Sequence, residues 1–253
     1  HILAEQTNKV VISGGNSAWI LINPENLVIK GFIFENQTVN GLNMADGGDY
    51  STPARNITFD HCTFRDINAT GNNDLLKLSG VDSFQVVNCK FINGSEGGSG
   101  IDMVGCHDGL ITSCIFRNQG SNSIQAKGGS RYITIFRNYF KDGGARALNL
   151  GGSTGIDYFR PLDATFEAAD LYVYSNIFIG SRAPVSYVGS VNVDVVNNTI
   201  YHPENWAVRI LQASADPERF VQCGDNTFRN NIIYYSDVRT EVNIGPNTRP
   251  ETF

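Results

Sequence analysis

The chain is poor in charge, and it lacks the features that a membrane or a nucleic acid would require. Only 17% of its 253 residues are charged, and no run of 18 apolar residues occurs, which excludes a transmembrane helix and any membrane insertion by one. Nineteen basic residues are scattered among 25 acidic ones, for a net charge of -6. Phosphate backbones are bound by clustered cations, so no nucleic-acid partner is expected. The opening stretch HILAEQTNKVVISGG has neither the basic start nor the apolar centre of a signal peptide. What is abundant is glycine, with 26 residues, together with asparagine. That balance predicts a turn-rich all-β chain with almost no helix.

A repeat organises the sequence. A small residue or Asn stands two places before a Phe or Ile in GFIF (31–34), HCTF (61–64), NCKF (88–91), SCIF (113–116), RNYF (137–140), SNIF (175–178), NNTI (197–200) and NNII (230–233). Each copy follows an alternating strand such as Ile57-Thr58-Phe59 or Ile133-Thr134-Ile135. A second short strand follows each copy, from Leu42-Asn43-Met44 through Ile101-Asp102-Met103 to Val242-Asn243-Ile244, with central residues 34, 25, 23, 24, 37, 23 and 34 apart. A unit of 22 to 25 residues with two or three strands and no helix predicts a right-handed parallel β-helix solenoid of about eight coils. Residues 1–253 form one domain in this reading. Neither end offers a polar capping segment, so a fragment of a longer chain without its terminal caps is expected. The long intervals predict loops leaving the rod near 45–55, 151–169 and 213–224, where they would wall a cleft.

Two columns of side chains follow from the repeat. Phe32, Cys62, Cys89, Cys114, Asn138, Asn176, Asn198 and Asn231 stack inside the turns, the amides bonding one another and the cysteines serving as small hydrophobes. Without C-x-x-C spacing these cysteines do not read as a metal site. Five cysteines are an odd set, and a Cys106–Cys223 disulfide is left open. The centres of the second strand series must face outward between inward apolar neighbours, giving the line Asn43, Lys77, Asp102, Gln125, Asn149, Ser186, Arg209, Asn243. Lys127 faces out beside Gln125, and Asp46, Asp74 and His107 flank the same strands. A solvated face needs polar residues in any case. Short amides, Asp and cations on adjacent rungs, however, form a donor and acceptor array suited to sugar hydroxyls and carboxylates.

The coils resemble the pectate-lyase-like superfamily of right-handed β-helices. The stretches GSGIDMVGCHDG, SIQAKGGSRYITIFRNYF and ARALNLGGSTG are similar to bacterial β-helix repeat proteins. The resemblance implies a polysaccharide partner and a secreted, periplasmic or cell-surface location. A polysaccharide lyase acting on a uronate polymer by β-elimination is the leading expectation. Lys127 is then the first candidate base, with Arg146 or Arg131 lowering its pKa, and Lys77 the second, unless Asp102 holds it protonated. Asn43, Gln125, Asn149 and Arg209 would bind or neutralise the substrate, His107 would move a proton or cap a turn, and Asp74 with Asp102 would hold calcium. Tyr158, Phe159, Tyr187 and Trp206 are candidates for stacking on sugar rings. The chain lacks the Asp-Pro-His-Asp of mannuronan epimerases and the Asp cluster of polygalacturonases. Hydrolysis or epimerisation remains the alternative, because Asp74 and Asp102 on neighbouring rungs would supply the two carboxylates a glycosidase needs. A noncatalytic sugar-binding or structural β-helix would show the same columns, and the oligomeric state is left open.

Overall fold

The computed structural model describes residues 1–214, 216–235 and 241–253. Three sheets of ten, nine and nine strands run the length of a rod, and each strand pairs in parallel with its equivalent one coil on. The fold is the expected right-handed parallel β-helix. Helix is confined, among the described residues, to the short turns Ile156–Tyr158 and Pro250–Thr252, and no helix is long and apolar enough to cross a membrane. The rod has nine coils. The additional first coil comprises Ile2–Leu3, Val10–Ser13 and Trp19–Ile22. Val10-Val11-Ile12 pairs with Phe32-Ile33-Phe34 but carries Val10 where the repeat from the third coil on carries Cys or Asn, so it lacks the repeat's mark.

The mark itself is a corner. His61, Asn88, Ser113, Arg137, Ser175, Asn197 and Asn230 adopt left-handed backbone, with φ from 53° to 56°, and turn the chain from the first sheet into the second. Side chains rarely accept this region, Asn most readily. The residue after each corner points inward. The Cys114 N–H donates to Asn138 Oδ1 at 2.9 Å, and the same bond recurs from Asn138 to Asn176, Asn176 to Asn198 and Asn198 to Asn231. Two residues on, Phe34, Phe64, Phe91, Phe116, Phe140 and Phe178 stack with centroids 4.7 to 5.1 Å apart. Each is fully buried and contributes roughly 2–3 kcal/mol by area. All five cysteines are buried and free, which answers the disulfide question.

Candidate functional site

The third sheet carries the stripe in the expected register. Asn43 pairs with Lys77, Lys77 with Asp102, Asp102 with Gln125, Gln125 with Asn149, Asn149 with Ser186, Ser186 with Arg209 and Arg209 with Asn243. The added coil extends the column to Ile20, which pairs with Asn43. Two cavities, of about 530 and 560 Å³, lie over this sheet and share Lys77, Lys127 and Ser153 in their linings. The loops near 45–55 and 151–169 wall the first cavity through Gly47, Tyr50, Gly155 and Tyr158, while Ala213 borders the second.

At the junction two buried carboxylates meet two lysines. Asp102 is 2% exposed; its Oδ2 contacts Lys77 Nζ, and its Oδ1 lies 3.3 Å from Lys127 Nζ. Hydrogen-bond alignment is absent from the second contact, so Oδ1 is buried without a donor. Asp74 Oδ2 is 3.7 Å from Lys77 Nζ, and its Oδ1 accepts the Ser99 N–H at 2.7 Å. Burial and the neighbouring Asp102 push the Asp74 carboxyl up to about 7, against the opposing pull of Lys77 and the Ser99 N–H. For Lys77, burial works against the charged form, but Asp102 and Asp74 outweigh it and raise its pKa, so Lys77 is held protonated. The two carboxylates expected to hold calcium thus converge on an ammonium. Among the described residues no group of three or more His, Cys, Asp or Glu is placed to hold a metal.

Lys127 has a different neighbour from the one expected. Its Nζ faces Asp102 at 3.3 Å and lies 3.4 Å from Gln125 Oε1. Arg146 stands opposite Asn122, at the other end of the strand from Lys127, and its guanidinium donates to Asn122 Oδ1 at 2.8 Å and Ser121 Oγ at 3.0 Å. Arg131 belongs to the first sheet, stacks over Tyr132 and faces Asp170 at 3.4 Å. His107 also leaves the site. Its Nδ1 meets Arg160 Nη1 at 3.2 Å and Asp82 Oδ1 at 3.3 Å, and its Nε2 faces the Gly129 and Arg160 carbonyls.

That cluster anchors the long loop, a role the sequence did not reveal. Residues 151–169 fold back over the third to fifth coils, and the Arg160 guanidinium grips Asp82 with both amino groups, at 2.6 and 2.7 Å. Burial opposes ionisation of Asp82, but Arg160 and His107 prevail and draw its pKa down to about 2. Gly129 permits the approach, since a Cβ there would lie 2.4 Å from the Arg160 carbonyl oxygen. Glu167, fully buried, ties the loop's two ends by accepting from the Gly128 N–H, the Thr154 N–H and hydroxyl, and the Ser214 hydroxyl.

Towards the C-terminal coils the groove is cationic. Burial lowers the pKa of Arg146, and Arg209 and Arg182 lower it further; burial and Arg182 do the same to Arg209. Among the described residues no carboxylate pairs with any of the three. Arg209 lies over the Trp206 ring at 4.6 Å and donates to Asn243 Oδ1 at 3.2 Å. Asn149 is 5% exposed, with its Oδ1 unpaired, and Gln125 Nε2 donates to the Gly151 carbonyl at 3.4 Å. Of the candidate stacking rings, only Tyr158, 69% exposed, faces the groove freely. Tyr187 is in the core and bonds the Thr227 carbonyl, and Phe159 packs on Phe220 beneath the loop.

The family description "Right handed beta helix region" matches residues 5–160. The chain belongs to that family. Among curated proteins none matches it. Similar solved structures include two that share the fold. One, a "Glycoside hydrolase", is 15% identical, with 84% of this chain and 39% of the other covered and a TM-score of 0.41. The other, a Family 28 exopolygalacturonase of Yersinia enterocolitica, is 13% identical, with 88% and 47% covered and a TM-score of 0.29. This chain therefore spans less than half the length of either.

Proposed function

We propose that this β-helix protein binds an acidic polysaccharide along its third sheet and hydrolyses a glycosidic bond between Asp74 and Asp102. The observation that carries the reading is the pairing of Asp74, its carboxyl pushed up to about 7, with the ion-paired carboxylate of Asp102 across the end of Lys77. Glycosidases need one carboxyl that still holds its proton at working pH and one carboxylate. Asp74 protonates the leaving oxygen, and Asp102 activates water or attacks the sugar. Lys77 and Lys127 both face the Asp102 carboxylate. Asn43, Gln125, Asn149 and Arg209 orient hydroxyls and acid groups, with Arg146 and Arg182 supplying the charge that favours an anionic chain. A polymeric substrate of this kind is met outside the cytoplasm, which fits a secreted, periplasmic or cell-surface protein.

β-Elimination is the second reading, favoured by the same three arginines, because they would neutralise the carboxylate beside the proton to be removed. Lys127 would then be the base. Incubation with a panel of uronate polymers separates the two. Hydrolysis releases reducing ends with no gain in ultraviolet absorbance, whereas elimination generates an absorbing unsaturated uronate with every cut. No product from any polymer overturns both catalytic readings and leaves a sugar-binding role.

A further inference from the structure

The first cavity has a different chemistry from the stripe. In the strand Trp19–Ile22, Trp19 and Leu21 pack on the core, which turns Ile20 and Ile22 outward, each 63% exposed. Ile22 heads a second outward column that continues through Ala45, Ser79 and Val104 to Lys127. A sheet face that is amides and charges from Asn43 onward is therefore apolar at its N-terminal end. Over it stand Tyr50 and Tyr158, and the Tyr50 hydroxyl donates to the Asp157 carbonyl, joining two loops that leave the rod four coils apart. This space, about 530 Å³, shares Lys77 and Lys127 with the polar cavity beside the carboxylate pair. Isolated exposed isoleucines are ordinary on a surface. Two of them forming the floor of a tyrosine-walled cavity that shares two lysines with a polar cleft fit the lining of a ligand site.

We infer that this cavity receives an aromatic group carried by the substrate, an aryl aglycone or a phenolic substituent on the sugar, while the saccharide lies over the stripe from Lys77 to Arg209. The inference rests on the proposed glycan function for the identity of the second half, and on the cavity alone for the aromatic half. A flat ring buries its faces between the tyrosine and isoleucine side chains, while Asn43, Asp46, Ser79 and Thr154, which also line the cavity, can pair with its phenolic oxygen.

The test uses 4-methylumbelliferone, a bicyclic phenol with no glycosidic bond, titrated into the full chain carrying ¹³C-labelled isoleucine methyl groups. Saturable shifts of the Ile20 and Ile22 methyl signals are expected, with binding weakened about tenfold or more in Ile22→Asp, as loss of one apolar contact surface implies. Asp74→Asn, which removes the proposed acid, should bind the probe as the parent does, so failure of hydrolysis and failure of this inference are separately visible. The absence of saturable shifts, or equal affinity in Ile22→Asp, would overturn it.

Discussion

Two columns of polar side chains run along this rod at the same rung spacing, and they differ in what they leave unfinished. Inside the corner between the first and second sheets, Asn176 donates to the Ile135, Tyr174 and Asn198 oxygens and accepts from the Asn138 backbone and side chain. Its amide group is saturated. On the third sheet, Asn149 is almost as buried, yet its oxygen has no donor, and neither the Ser186 hydroxyl nor Asp102 Oδ1 has a partner. Buried polar groups are normally paired, because an unmade bond costs about 1–3 kcal/mol. One column is saturated scaffold, and the other leaves three buried polar atoms without a protein partner.

The largest effect that would break this contrast belongs to the interior. Asn176→Ala removes five hydrogen bonds and leaves their partners buried, so unfolding stability should fall by about 3 kcal/mol or more, read as a lower urea midpoint, with polymer binding by the folded fraction unchanged. The matching change on the stripe, Asn149→Ala, should leave that midpoint within about 0.5 kcal/mol while weakening polymer binding about tenfold, measured by affinity electrophoresis.

The aspartates give a pH version of the contrast. Asp74, raised from 3.8 to about 7, binds a proton in the folded chain that the unfolded chain has already lost between pH 4 and 7. Its contribution to stability therefore declines as pH rises through that window, and Asp74→Asn should flatten the decline. Asp82, lowered from 3.8 to about 2, does the reverse, stabilising above pH 4 and losing its effect as pH falls towards 2. Melting curves from pH 2 to 8 on the two Asn variants check both directions. Turnover, if Asp74 is the acid, should fall as pH rises past about 7. Smallest of all, millimolar calcium should leave the melting temperature unchanged, since the Lys77 and Lys127 ammonium groups already face the Asp102 carboxylate and the Asp74 carboxyl is raised to about 7.

The periodicity made the fold and the whole stripe legible from Asn43 to Asn243, because two-residue alternation inside a coil of fixed length settles both facing and register. It did not reveal which side chains touch. Lys127 was read against Arg146 or Arg131, although Arg131 lies in the first sheet and register places Arg146 opposite Asn122, five residues along the strand and roughly 16 Å away. The partner of Lys127 is Asp102, its diagonal neighbour one rung back. The grip of Arg160 on Asp82 joins residues 78 apart through a loop with no repeat, and no local pattern encodes it. Ile20 and Ile22 went unread because Val10-Val11-Ile12 of the first coil has neither the Asn or Cys nor the closing Phe of the repeat.

The account stands most directly on the protonation of Asp74. A ¹³C-carboxylate NMR titration of the full chain, with Asp74→Asn identifying the signal, should place its midpoint near 7, the value set by burial and the Asp102 charge. A midpoint at the ordinary aspartate value of 3.8 would contradict it, since Asp74 would then hold no proton to give at neutral pH.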